Sequence, residues 1–136
     1  MKGQRGTAMR MSLLAISILA GLAAAPARAE YPWWVIGQRD VHASGGDRLV
    51  IPVTSDRRFI SMRVCVQRQG VNFRQVDVRY REGGSETFQI RGVVPNQRCS
   101  GDIPLPGGDR SLAEVAIVYD SAGLGTRGVR MRLHGR

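Results

Sequence analysis

Few residues of this chain are of the types that do chemistry. Its 136 residues hold two histidines, His42 and His134, two cysteines, Cys65 and Cys99, and 11 carboxylates against 20 basic side chains. Ser44, His42 and Asp40 would supply the nucleophile, base and orienting acid of a hydrolase, but residues so close in sequence on one strand do not place base and orienter in line. A nucleophile elbow needs Gly-x-Ser-x-Gly on a strand-to-helix turn, and "HASGG" (42–46) lacks both the first glycine and a following helix. A glycosidase needs two acids facing each other across a cleft, and acids spread mostly over turns single out no pair. The two histidines stand far apart, with no His-x-x-x-His spacing to hold a metal. The expectation is a chain without turnover, metal or cofactor; a small secreted hydrolase with an unrecognised site is the catalytic alternative.

The cysteines point to compartment rather than catalysis. Lys2, Arg5 and Arg10 precede an apolar run from Met11 to Ala25, then Pro26 and the small-residue pattern Ala27-Arg28-Ala29. This is the composition of a signal peptide over 1–29, cleaved before Glu30 to leave one domain over 30–136. The apolar run, about 15 residues, falls short of the roughly 20 that span a bilayer, so no stable membrane span is expected after cleavage. No cysteine follows the cleavage site, which disfavours a lipid anchor. No Arg-Arg pair precedes the apolar run, which points to export of an unfolded chain. The expected location is secreted, in the periplasm. In that oxidising compartment two cysteines allow one intramolecular pairing, so a Cys65–Cys99 disulfide is expected. Closing a loop of this length stabilises by roughly 3–4 kcal/mol in the chain-entropy view.

What remains suits binding. Four basic residues precede Glu30, which leaves 16 against 11 acids and a mature charge of +5, and all 16 are arginine. Guanidinium groups grip phosphate and carboxylate in bidentate fashion, although a genome rich in G and C gives the same arginine count. Arg63, Arg79, Arg81, Arg130 and Arg132 fall on the polar faces of alternating segments. As a patch they would suit anionic envelope material, such as phosphate-bearing lipopolysaccharide or acidic polysaccharide. As a solvated face they would be matched across strands by Asp77, Glu82 and Glu114. Nucleic acid is not expected as a partner of an exported chain with this modest charge.

The string "GGDR" occurs twice, at Gly45–Arg48 and Gly107–Arg110, and Gly83-Gly84 adds a third double glycine. Double glycines supply the positive φ of tight turns, and aspartate bonds nearby backbone N–H groups. An anion cradle needs free N–H groups, usually at a helix N-terminus, and strands follow these loops. Gly45, Gly46, Asp47, Gly107, Gly108 and Asp109 are therefore expected to be turn anchors.

The elements that must position all of these are strands. "ISMRVCVQ" alternates, with Ile60, Met62, Val64 and Val66 on one face. "VNFRQVDVRY" changes parity at Arg74-Gln75, the mark of a β-bulge. "GSETFQIRGVV" and "GVRMRLH" alternate again, while "LAEVAIVY" is apolar on both faces except at Glu114, as a central strand would be. "WWVIG", "RLVIPV" and a short "DIPL" complete about eight strands separated by turns, the pattern of an all-β fold: a single antiparallel, jelly-roll-like β-sandwich. Trp33 and Trp34 point to opposite faces of such a strand, one of them as a core plug.

The order of these motifs carries a resemblance. "WWVIG", "GGDRLVIPV", "RRFISMRVCV", "VDVRYREGG" and "IPLPGGDRSLAEVAIVY" follow one another as in a family of small secreted bacterial proteins catalogued only as a domain of unknown function, across nearly the whole mature chain. The resemblance implies a compact β domain in the envelope and no known chemistry. The cysteines depart from the commonest form of that family, which often has none, while one branch has a cysteine near the position of Cys99. Trp33 matches the family tryptophan and takes a structural role, so Trp34, which departs from the pattern, is the candidate for an aromatic contact. Arg110, inside a family-like motif, is expected to be a structural anchor. The function expected is non-catalytic binding or structural support in the bacterial cell envelope, with anionic envelope glycan as partner; the alternative is an accessory module that binds another envelope protein through an edge strand.

Overall fold

Alternation of apolar and polar residues makes a strand with one dry and one wet face, and nine strands form the computed structural model, which describes residues 32–42 and 46–136. They are β1 (Trp34–Val41), β2 (Arg48–Pro52), β3 (Arg58–Phe59), β4 (Ser61–Gln67), β5 (Val71–Tyr80), β6 (Ser85–Val94), β7 (Ile103–Pro104), β8 (Arg110–Tyr119) and β9 (Val129–Gly135). A three-residue 3-10 turn, Ser121–Gly123, follows β8. The expected leader and its cleavage site, and Ser44 and Gly45, lie outside the described residues.

One sheet has the order β1-β9-β4-β7; the other runs β2-β8-β5-β6, with β3 also on β8. Every pairing is antiparallel. Outermost pairs with outermost: β1 with β9, β2 with β8, β4 with β7, β5 with β6. The chain is thus a long ribbon folded on itself and rolled until β9 meets β4 and β8 meets β5, the jelly-roll arrangement. The inner faces bury Ile36, Ile51, Phe59, Met62, Val64, Phe73, Val76, Ile117, Tyr119, Met131 and Leu133. "LAEVAIVY" is the expected central strand, β8, held between β2 and β5. The register of β5 slips against both neighbours between Phe73 and Gln75, where the change of parity placed a bulge.

Three readings change. A ninth strand, β3, is only two residues long, too short for any periodicity to mark it. Ile60 leaves the apolar face of its segment and is 43 % exposed, because it is the joint where the chain passes from β3 in one sheet to β4 in the other. Neither tryptophan is a core plug. The register of β1 against β9 slips between Val35 and Gly37, and the extra residue turns Ile36 inward to complete burial. Trp33 lies half-buried on the outside, and Trp34 is 44 % exposed.

The slip also brings β1 against β2 at the corner of the sandwich. Thr54 N–H donates to the Ile36 carbonyl at 2.9 Å, and Arg39 Nη1 donates to the Val50 carbonyl at 2.8 Å. At Gly37 a Cβ would lie 2.8 Å from the Pro52 carbonyl oxygen and 2.9 Å from Ile51 Cγ2, so the two sheets close only because this residue has no side chain. Gly37→Ala is expected to cost about 1–3 kcal/mol, read by calorimetry as a fall in Tm of roughly 4 °C or more. An unchanged Tm would show that the corner is not closed by this contact.

Candidate functional site

The outer face of the β1-β9-β4 sheet gathers most of the chain's chemistry. Register sets it out in rows. Val35, His134 and Arg63 stand side by side, then Gln38, Arg132 and Cys65, then Asp40, Arg130 and Gln67. Inward residues of β9 are buried and the outward Arg130, Arg132 and His134 are half-buried, as strict alternation requires. Three of the five arginines expected to make a patch, Arg63, Arg130 and Arg132, are thus brought together. Arg130 grips Asp40 through Nε at 2.7 Å and Nη2 at 3.2 Å, with Arg68 3.6 Å from the same carboxylate. Arg132 Nε donates to Gln38 Oε1 at 3.1 Å. Among the described residues, neither Arg63 nor Arg132 forms an ion pair.

The other two expected patch residues lie on the opposite sheet, so the five do not make one surface. Arg79 on β5 pairs with Glu114 across the β5–β8 ladder at 3.2 Å. Arg81 donates from Nε to the Leu112 carbonyl of β8 and from Nη2 to those of Ser55 and Val53, which makes it a clamp between β8 and the loop after β2. The acids weighed as cross-strand partners are all engaged: Asp77 with Arg48, Glu82 with Arg110, Glu114 with Arg79.

At the end of the outer face, the start of the domain adds tryptophans to the arginines. The Arg63 guanidinium lies 4.2 Å from the centroid of the Trp33 ring, and the Arg136 guanidinium lies 4.6 Å from it. Arg57 stacks on Trp34 at 4.2 Å. Pro32, Trp34, Arg57, Arg58, Phe59 and Arg136 line an open depression of about 320 Å³. Arg58 and Arg136 continue into a second, of about 250 Å³, with Ile60 and Asp109. Arg136 is paired with Asp102 at 3.0 Å; among the described residues Arg57 and Arg58 have no acidic partner. The sequence reading singled out Trp34 here and missed Arg57, Arg58 and Arg136. The adjacent pair Arg57-Arg58 was visible in sequence, but nothing local to it placed the pair beside a tryptophan 23 positions away.

Beside this end, Cys65 and Cys99 are joined in a disulfide across an antiparallel bridge. Residues 97–105 run along the outer edge of β4, with hydrogen bonds from Gln97 N to Val66 O, Val66 N to Arg98 O and Ser100 N to Val64 O, so the disulfide fastens a covered edge. His134 Nδ1 lies 3.7 Å from Cys65 Sγ and 3.5 Å from Arg63 Nη2. Burial holds the imidazole below its ordinary value, and the charges of Arg63 and Arg132 push it further down. Arg63 Nε is buried and has no hydrogen-bond partner among the described residues.

Both GGDR strings are turns, and Asp109 of the second also lines the depression shared by Arg58 and Arg136. Gly46, Gly107 and Gly108 all have positive φ, 82°, 91° and 84°. Asp47 Oδ1 accepts from Ser121 N at 3.2 Å and Ser121 Oγ at 2.6 Å, pinning the turn after β8. Arg110 donates to Glu82 at 2.7 Å and to the Pro106 carbonyl at 2.8 Å, and lies 3.6 Å from the centroid of Tyr80. Asp109 is exposed. Burial first, then the hydrogen bond to Glu86, pushes the Tyr80 phenol up to about 12. The hydrogen bond from Arg130, with the charges of Arg130 and Arg68, holds the Asp40 carboxyl below the usual carboxylate range. A carboxyl held low in the folded state stabilises above its unfolded value, and that contribution is lost as pH falls through the folded value. Between about pH 5 and pH 2, Asp40→Asn is therefore expected to lose less thermal stability than the parent. Parallel pH–Tm curves would contradict this.

The family described as "Domain of unknown function (DUF2541)" matches residues 9–135. No curated protein matches the chain, and no solved structure does. The order of short structural motifs and the match agree: the chain belongs to the DUF2541 family of domains of unknown function.

Proposed function

We propose that this protein is a non-catalytic binding module of the bacterial cell envelope that holds anionic glycan at the arginine–tryptophan end of its four-stranded sheet. One observation carries the reading. Two tryptophans on consecutive residues each lie against a guanidinium at 4.2 Å, beside a depression lined by Arg57, Arg58 and Arg136. Indole faces stack on sugar rings, and guanidiniums bind phosphate or carboxylate with two parallel bonds. Arg57 and Arg58, with no acidic partner among the described residues, keep their donors for a ligand. The leader-like composition of residues 1–29 and the disulfide favour action outside the cytoplasm.

Microscale binding to phosphate-bearing lipopolysaccharide and to an acidic polysaccharide tests this. Affinity is expected to weaken steeply as salt is raised. Arg57→Ala and Trp34→Ala should each weaken it about 3–10-fold, and Arg79→Ala on the other sheet should leave it unchanged. Absent or salt-insensitive binding, or equal losses from all three variants, would overturn the proposal.

A second reading rests on β6, which among the described residues forms the edge of its sheet over ten residues and pairs with β5 alone. It has no lysine or proline to blunt that edge, and Val93 is 67 % exposed. Another envelope protein would add a strand there. A photo-crosslinker at Gln89 tests it in cells: one discrete protein adduct supports the reading, and none contradicts it.

A further inference from the structure

The disulfide and the histidine beside it compose a second site. Cys65 Sγ, Cys99 Sγ and a His134 ring nitrogen all lie within 4.8 Å of one another, and Nδ1 is the nitrogen near Cys65. The three residues come from β4, the segment after β6, and β9. The ladder fixes them, for Cys65 is bridged to Cys99 on one side and lies across from Arg132, two residues before His134, on the other. A metal held by three ligands, about 2.3 Å from sulfur and about 2.0–2.1 Å from nitrogen, sets those two atoms roughly 3.8 Å apart at the angle of about 120° that such a site takes. The observed separation is 3.7 Å. A guanidinium only donates, so Arg63 beside Nδ1 favours that nitrogen as an unprotonated acceptor, the form that ligates. Cys99 is exposed and gives a reductant and an ion access, while Cys65 is buried.

We propose that the reduced Cys65–Cys99 pair and His134 Nδ1 form a three-ligand site for Cu(I), with the disulfide as its closed, oxidised form. A protein dithiol supplies the electrons: the Cys65–Cys99 S–S bond breaks, the dithiol becomes a disulfide, and its two hydrogens pass to the cysteine sulfurs. Cu(I) then displaces both thiol protons to solvent and forms two Cu–S bonds and one Cu–N bond. Soft thiolates and a set of three ligands select Cu(I), whereas structural Zn(II) takes four ligands. Among the described residues no fourth histidine, cysteine or carboxylate joins the cluster. Two thiolates and one Cu(I) leave a net charge of −1, and Arg63 and Arg132 on the same face offset it.

The test is an anaerobic titration of the purified protein, reduced with a phosphine and desalted, with Cu(I) against a chromogenic Cu(I) chelator. Circular dichroism follows the fold. The reduced chain is expected to keep its sheet signal and bind one Cu(I), while the oxidised chain and the reduced Cys65→Ser variant bind none. His134→Gln, folded by the same signal, should lower affinity about tenfold or more. Unfolding on reduction, no uptake by the reduced chain, equal uptake by the oxidised chain, unchanged affinity in His134→Gln, or tighter binding of Zn(II) than of Cu(I) would each overturn the proposal.

Discussion

The pairing of the last strand, β9, between β1 and β4 holds one whole side of the molecule together. Neither β1 nor β4 has another long partner in that sheet: β1 is its edge, and β4 is otherwise covered by the two-residue β7 and the disulfide-tied segment before it. Inward, β9 contributes Val129, Met131 and Leu133, all fully buried. Outward, the same alternation lines up Arg130, Arg132 and His134 between residues from strands that are far away in sequence. Rolling a folded ribbon has this consequence in general. It brings the first and last strands together, so the surface over β9 is assembled from β1, β4 and β9.

Charge on that surface is unevenly spent. Arg130, Arg68 and Arg136 face Asp40 and Asp102, and on the other sheet Arg48, Arg79 and Arg110 face Asp77, Glu114 and Glu82. Exposed pairs of this kind are worth about 0–1 kcal/mol each, so they hold side chains in place more than they hold the fold together. The fold rests instead on the buried apolar faces, the closed corner at Gly37 and the disulfide. Arg57 and Arg58 lie outside this pairing, and they collect where the tryptophans are. Arg63 is spent differently again, between the Trp33 ring and His134.

Much of the fold is legible in the sequence because alternation is local. The wet and dry faces of β4, β5 and β9 can be read residue by residue, and so can the bulge near Arg74, since polar neighbours reveal the change of parity. The bulge at Ile36 cannot be read that way. It sits among Trp33, Trp34 and Val35, where every residue is apolar and a change of parity leaves no trace, so alternation puts Trp33 in the core although it lies half-buried on the outside, while Trp34 is exposed as expected. The site was less legible for a related reason. Alternation says which arginines are outward but not which sheet they are outward from, and it therefore joined Arg79 and Arg81 to Arg63, Arg130 and Arg132. The contact of His134 with Arg63 spans 71 residues, and only the roll of the ribbon brings them side by side. The cysteine pairing was legible for the simpler reason that two cysteines allow one partner each.

The arginine–tryptophan end is tested most directly by watching its two indoles, which are the only ones in the chain. An NMR titration of the ¹⁵N-labelled protein with phosphate-bearing lipopolysaccharide fragments reports on both indole N–H groups and on the arginine Nε–H groups at once. The Trp33 and Trp34 indoles and the Nε–H groups of Arg57, Arg58 and Arg136 are expected to shift together and saturate along one curve. Shifts confined to β6, or none at either indole, would contradict binding at this end.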